Sequence, residues 1–302
     1  MRKNSAFMSF AEKHSNKVLL APYVVLFMLF IVIPVSVAIG LSFTYFNTVQ
    51  APHFVGLTNY INLLTNDETF MQYVLPKTII FSLVAGFGGY FLSFFMAWSI
   101  AQLPKLPRTI LAIIIYSPSL TGGVMISNIW AVFFNGDKAG WLNYILLELN
   151  IIAQPVMWMQ DSGTLLTVMI IVTLWSSMGV GFLAILSGIL NGNQELYEAA
   201  YIDGVKNRFQ EIIYVTIPSA RPQMLFGAIM SMVGTIQSSN IGTTLSGRNP
   251  TPNNAGQLIV SHIDDYGFIR YEMGYAAALS VVLLISMRLV AVGSEKLFGD
   301  KE

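Results

Sequence analysis

Cysteine is absent from all 302 residues, which excludes disulfides and thiolate metal sites and leaves the redox compartment open. Charge is scarce as well: 11% of residues are Asp, Glu, Lys or Arg, where a soluble domain carries about 25% because its surface must face water. The 16 basic and 16 acidic residues cancel, so there is no basic excess of the kind a nucleic-acid partner calls for. No G-x-x-x-x-G-K-[ST] stretch occurs, so the chain does not itself hold ATP through a P-loop, and no cofactor is expected within it. The three histidines, His14, His53 and His262, have no partners at ligand spacing. They are read as solvated loop residues, with no metal site. No activated nucleophile or carboxylate pair falls in a hydrophobic stretch, so no catalytic residue is assigned and the chain is not read as an enzyme.

What the chain has in quantity is apolar surface: 54% of residues are hydrophobic, and the mean hydropathy is +0.62. A bilayer core about 30 Å thick needs about 20 apolar residues per helix. Six stretches meet or approach that length: Val18–Phe46, Thr78–Ala101, Ile110–Phe134, Leu165–Leu190, Met224–Leu245 and Met273–Val292. The fifth is diluted by Gly227, Ser231, Gly234, Thr235, Gln237, Ser238, Ser239 and Asn240. Within lipid the backbone must satisfy its own hydrogen bonds, so the reading is all-α, a polytopic bundle of six membrane helices. Pro34 and Pro118 are expected to kink their spans. A cleaved signal peptide at the N-terminus is the competing reading of the first stretch, but its apolar run far exceeds the ~7–15 residues of a signal core.

Loop charge gives a direction. Twelve Lys and Arg residues fall on the side of the termini and the 191–221 loop, and four, Lys77, Lys138, Arg248 and Arg270, fall on the other. The acidic residues split eight and eight. The positive-inside rule then makes both termini cytoplasmic. The expected organisation is a cytoplasmic segment 1–17, a membrane domain 18–292 and a cytoplasmic tail 293–302. Arg288 is the one charge inside a span, close enough to the inner end to snorkel.

The inner loop between spans four and five, 191–221, is the most informative segment. Asn193 is placed to cap a short helix with Glu195 in its first turn. Gly204 permits the turn that ends it. A second short helix then carries Phe209, Ile212 and Ile213 on one side, and Pro218 leads into span five. Physics alone allows two readings, a helix lying on lipid headgroups or a knob that docks a partner.

Glu198-Ala199-Ala200, Gly204 and Ile217-Pro218 closely resemble the cytoplasmic "EAA" motif of bacterial ATP-binding-cassette (ABC) importer permeases. Ten residues separate Gly204 from Val215 where nine are common, and Ile217 stands where leucine is usual. Leu41-Ser42-Phe43-Thr44 with Phe54-Val55-Gly56-Leu57-Thr58-Asn59-Tyr60, and Phe134-Asn135-Gly136-Asp137 with Gly140 and Asn143, are similar to the outer loops of the carbohydrate (maltose-type) branch. The resemblance implies a multi-pass permease of the bacterial cell membrane that imports a sugar or oligosaccharide. It implies a second permease, two ATPase subunits that bind the ATP and Mg, and an extracellular solute-binding protein as partners. It also implies that Glu198, Ala199, Ala200, Gly204 and Pro218 couple the chain to an ATPase.

Sugar binding at mid-depth calls for amides and aromatic faces. Gln237 and Asn240 lead that set, with Trp175, Asn128, Trp130 and Tyr116, although small polar residues and tryptophans also serve as helix glue and interface anchors. The polar outer segment Ser246–Glu272 reads either as a contact for a binding protein or as a solvated loop. A secondary carrier or facilitator for a small polar solute is the alternative, and it calls for mid-span ionisable groups or an inverted repeat. A non-transporting scaffold would have no need of Gln237 and Asn240.

Overall fold

The computed structural model describes residues 15–121, 123–237 and 240–298, with the side chains of 15–18, 123, 124, 237, 297 and 298 left aside. Its helices are α1 (15–41), α2 (Thr58–Thr65), α3 (Phe70–Ala101), α4 (Lys105–Tyr116), α5 (Gly123–Phe133), α6 (Trp141–Glu148), α7 (Leu165–Ser176) and α8 (Val180–Leu190). Then come α9 (Gln194–Ile202), α10 (208–219), α11 (Arg221–Gln237), α12 (Ile241–Ser246), α13 (Ile259–Asp264) and α14 (Met273–Phe298). The only strands among the described residues, β1 (Thr44–Tyr45) and β2 (His53–Phe54), pair antiparallel, with Thr44 opposite Phe54.

Three unbroken helices are long and apolar enough to cross a bilayer: Leu19–Leu41, Phe70–Ala101 and Met273–Lys296. Two further crossings are broken pairs. α7 and α8 meet at a 42° bend around Ser177–Gly179, and α4 ends at Tyr116 in a 3-10 turn, Ser117–Leu120, before α5. α11 is 17 residues long and packs against α3, α8 and α14. Two expected boundaries move: the first span stops at Leu41, where β1 takes over, and the second starts at Phe70 with Pro76 inside it.

Proline shapes these helices in one repeated way. The π-helical turns Met28–Val32, Phe70–Val74 and Ile212–Thr216 each end two residues before a proline, Pro34, Pro76 and Pro218. Each closes on a five-residue bond, from Ile33 N–H to the Met28 carbonyl, Leu75 to Phe70 and Ile217 to Ile212. The proline ring crowds the carbonyl four residues back and offers no N–H, and a widened turn accommodates it without ending the helix. Pro118, by contrast, sits where α4 stops.

The bundle closes through small residues. A Cβ on Gly181 would come 3.0 Å from the Gly227 carbonyl, one on Gly227 would lie 2.8 Å from Ile185, and one on Gly89 would lie 2.8 Å from Ser177. These glycines bring α3, α8 and α11 into close contact, the packing expected of helices in lipid. α1 stands apart: none of its most apolar stretch is buried, and it meets the bundle only where residues 33–41 lie along α14.

The outer loops are tied by amides. Asn59 donates to the carbonyls of Ser42 and Thr44, both at 2.9 Å, and Tyr60 donates to the Ser42 hydroxyl at 2.7 Å. Asn143, fully buried, binds the carbonyls of Asn135 and Val156 and accepts from Trp158 Nε1 at 2.8 Å.

The segment 246–272 is not a solvated loop: much of it is packed into the protein, while Phe268, Ile269 and Tyr271 stay exposed. Thr251, Gln257, Ser261, His262 and Asp265 are buried. Lys77 donates to the Asn254 carbonyl at 2.7 Å, and Ile259 N–H to the Thr78 hydroxyl at 3.1 Å. His262, expected in solvent, is 1% exposed and sits 3.0 Å from Asp67, which also accepts from Tyr275 at 2.7 Å. The correction has a simple cause: irregular polar backbone at membrane depth is tolerated where protein seals it, and α3 and α14 supply the partners.

Candidate functional site

At the opposite end of the spans, the loop 191–220 folds from local signals. The Asn193 side chain accepts from Glu195 N–H at 3.0 Å and starts α9. α9 ends at Gly204, whose φ of +98° is a conformation that a side chain resists. Asn207 then caps α10 by accepting from Gln210 N–H at 2.9 Å. So residues 205 and 206 make the turn, and Pro218 lies in the last turn before α11.

Glu198 and Ala199 are exposed, Ala200 is half-buried, and Gly204 and Pro218 are exposed. Around them the loop presents apolar side chains to the outside: Ile202 is 87% exposed, Phe209 70% and Tyr214 69%. A groove between α9 and α10 is lined by Leu196, Ala199, Ala200, Tyr214, Val215 and Pro218. The small side chains at 199 and 200 leave this groove open. An apolar surface of this kind on a polar connection marks a contact with another protein or with lipid.

Inside the bundle, α3, α7, α8 and α11 enclose a cavity of about 190 Å³ lined by the hydroxyls of Ser93, Thr173, Ser176, Ser177, Ser231 and Thr235. Most of these hydroxyls bond backbone, as Ser177 does to Leu174 (2.8 Å) and Ser231 to Gly86 (3.1 Å). Thr173 is 6% exposed, and its hydroxyl has no protein partner. Such a hydroxyl can donate or accept one bond to a guest at no cost to the fold.

Of the six residues expected to bind solute, the five whose side chains are described do not line this cavity. Asn240 donates to Asp264 at 2.8 Å, and its amide oxygen is buried without a partner. Trp130 meets Trp175 edge-on with ring centres 5.4 Å apart and stacks on Phe134, its indole N–H unpaired. Tyr116 packs near Phe182 and Ile185, and Asn128 is exposed. The backbone of Gln237 ends α11, and its side chain lies outside the described residues, as do Ser238 and Ser239. In the sequence Ser231 and Thr235 read only as dilution of the fifth stretch, and Ser93, Thr173, Ser176 and Ser177 do not stand out at all. The signal in that stretch was spacing: Gly227, Ser231, Gly234 and Thr235 recur at one-turn intervals and so share one face of α11. Among the described residues no group of three or more His, Cys, Asp or Glu could hold a metal.

Comparison with known proteins places this geometry. Residues 89–294 match the family described as binding-protein-dependent transport system inner membrane component. The arabinooligosaccharides transport system permease AraP of Bacillus subtilis (strain 168) is 29% identical over 298 residues, covering 96% of this chain and 90% of that protein. The lactose transport system permease LacF of Rhizobium radiobacter is 28% identical, covering 90% and 89%. The trehalose/maltose transport system permease MalF of Thermococcus litoralis is 25% identical, covering 94% of each. Among solved structures, a chain of a bacterial ABC transporter involved in import of the acidic polysaccharide alginate superposes with a TM-score of 0.78 at 18% identity, over 97% of this chain and 98% of that one.

Proposed function

This chain belongs to the family of binding-protein-dependent transport system inner membrane components, and from that membership we propose that it is the permease subunit of an ABC importer for a sugar or oligosaccharide. Its relatives named for arabinooligosaccharides, lactose and trehalose/maltose support the carbohydrate class. The chain forms one half of a pore completed by a second permease. Two ATPase subunits bind ATP and Mg, and an extracellular binding protein, as in the alginate complex, delivers the solute. Both termini and the loop 191–220 are cytoplasmic, in a bacterial cell membrane, with residues 18–292 as the membrane domain.

The observation that carries this reading is the α9–α10 knob, with Glu198, Ala199 and Ala200 on a capped helix above an open apolar groove. ATPase closure would pull on α9 through Glu198, with Ala199 and Ala200 permitting close approach. The turn at Gly204, and Pro218 at the entry to α11, would carry that movement into α11, switching the bundle between inward and outward openings. The hydroxyl cavity on α7, α8 and α11 is the part of the path this chain contributes. Gln237 and Asn240 follow the last lining residue, Thr235, by two and five positions in sequence. Trp130 and Trp175 offer aromatic faces, with Tyr116 and Asn128 as further candidates.

The test is reconstitution with the partner permease, ATPases and binding protein in proteoliposomes, using labelled arabino- and maltooligosaccharides as probes. Uptake should require both ATP and the binding protein. Failure of any ATPase to co-purify with the chain would refute the reading.

A further inference from the structure

Glu211 is a buried carboxylate on a loop whose other acidic side chains, Glu195, Glu198 and Asp203, are exposed. It is 4% exposed, yet it sits in the first turn of α10, next to residues that face outward. Its Oε2 accepts from the Tyr201 hydroxyl at 2.5 Å and from Arg208 Nη1 at 2.7 Å, and Arg208 also reaches the Tyr201 hydroxyl at 3.3 Å. Tyr201 belongs to α9, one turn after Glu198. The three side chains therefore join the helix before Gly204 to the helix after it. One turn further along, Tyr197 meets Thr216 hydroxyl to hydroxyl at 3.4 Å. The hydrogen bond to Glu211 also raises the Tyr201 pKa, so the phenol keeps the proton it donates.

The clasp is the charged link between the two helices; besides it the Tyr197–Thr216 contact bridges them, and Lys206 N–H donates to Gln210 within the turn. A Cβ on Gly204 would meet nothing within 4 Å, so the turn itself is open space. The cleft behind the clasp is lined by Gln102 at the end of α3 and by Ile189, Leu190 and Gly192 at the end of α8. It thus sits over the inner ends of two spans.

We propose that Glu211 is a positioning residue for energy coupling: by binding Tyr201 and Arg208 it makes α9 and α10 one rigid lever, so that a push on Glu198–Ala200 moves α11 instead of swivelling α9 about Gly204. The inference rests on the reading of the loop as an ATPase contact. A purely structural role predicts lost folding or assembly when Glu211 is removed. A lever predicts that the complex assembles and hydrolyses ATP but no longer answers the binding protein.

The absence of cysteine makes the experiment clean. Glu195→Cys and Ile213→Cys, both exposed and neither lining the groove between the helices, place one spin label on each helix of the full transporter in lipid nanodiscs. With Glu211 present the label distance should be narrow and single. Glu211→Ala should broaden it and reduce stimulation of ATP hydrolysis by the binding protein about tenfold, the usual scale of a lost coupling contact, while basal hydrolysis and ATPase co-purification persist. Glu211→Gln, which keeps an acceptor for Tyr201, should recover most of both. A narrow distance with unchanged stimulation in Glu211→Ala would overturn the inference. If that variant fails to assemble, Tyr201→Phe, which deletes a single hydroxyl, must show the same broadening or the inference fails. If the unmodified chain itself binds no ATPase, the functional reading falls, and the distance in the isolated chain still decides the clasp.

Discussion

The two connections 246–272 and 191–220 sit at opposite ends of the bundle, and both are polar interruptions between hydrophobic stretches. They differ in where their polar groups go, although both leave apolar side chains outside, Phe268, Ile269 and Tyr271 in the outer one. In the outer one the polar groups are buried and partnered: Gln257 is 1% exposed and bonded to Asn249 and Thr251, and His262 is paired with Asp67. In the inner one the polar groups make caps and one clasp, while Ile202, Phe209 and Tyr214 project outward. The outer connection therefore ties distant parts of the fold together through its hydrogen bonds, whereas the inner one uses its polar groups to fix its own shape; the apolar groups left outside on either are surface for another protein or lipid to cover.

The sharpest way to break that comparison is at Asp67. Asp67→Ala would leave the buried His262 and the half-buried Tyr275 without their acceptor, which costs about 1–3 kcal/mol. The thermal midpoint of the purified protein should fall clearly, and yield in the membrane with it. If Asp67→Ala melts like the unmodified protein, the outer segment does not tie the fold together.

At the other end the expected damage is functional. Gly204→Val must hold a β-branched residue at φ +98°, at a cost of about 1–3 kcal/mol, and the strain falls on a turn outside the membrane. Insertion and thermal midpoint should change little, whereas ATPase co-purification and uptake should be largely lost. Normal uptake would show that the loop angle is immaterial.

How much of this was legible follows from how far apart the partners lie. Asn193, Gly204 and Pro218 act on neighbours within a few residues, so the caps and turn of the inner loop could be read directly. The hydropathy of Leu19–Leu41 and Met273–Lys296 announces unbroken spans because lipid-facing residues need only be apolar. The burial of 246–272 was hidden because its partners are distant in sequence: Lys77 reaches Asn254, Thr78 reaches Ile259 and Asp67 reaches His262. The break at Ser177–Gly179 was hidden too, since a polar pair within an apolar run reads as dilution. The outer-loop motifs were recognised before their cause was visible, which is the anchoring of loop backbone by Asn59 and Asn143.

A smaller effect tests the cavity. Thr173→Val keeps the shape and removes a buried hydroxyl that has no partner within the chain. The fold should be unharmed or stabilised by up to about 1 kcal/mol, because nothing inside loses a bond. Uptake of the labelled oligosaccharide should nonetheless fall, with a raised KM if the hydroxyl binds the resting solute. A variant equal to the parent in both respects would place the solute path elsewhere, with Trp130 and Asn240 next to examine.

The mildest prediction is one of pH, and it again separates the two ends. Burial pushes the Asp67 carboxyl upward, but hydrogen bonds from His262, Phe70 N–H and Tyr275 outweigh it and bring the pKa down to about 2. In the unfolded chain the same carboxyl titrates at about 3.9. The folded state therefore binds fewer protons between those values, so Asp67 contributes its full stability above about pH 4 and loses it as the pH falls through about 2. Thermal midpoints should hold from neutral pH to about pH 4 and decline below it, and the Asp67→Asn variant should lose that part of the decline. If both proteins lose stability in parallel on acidification, the carboxylate at the outer end is not what acid attacks.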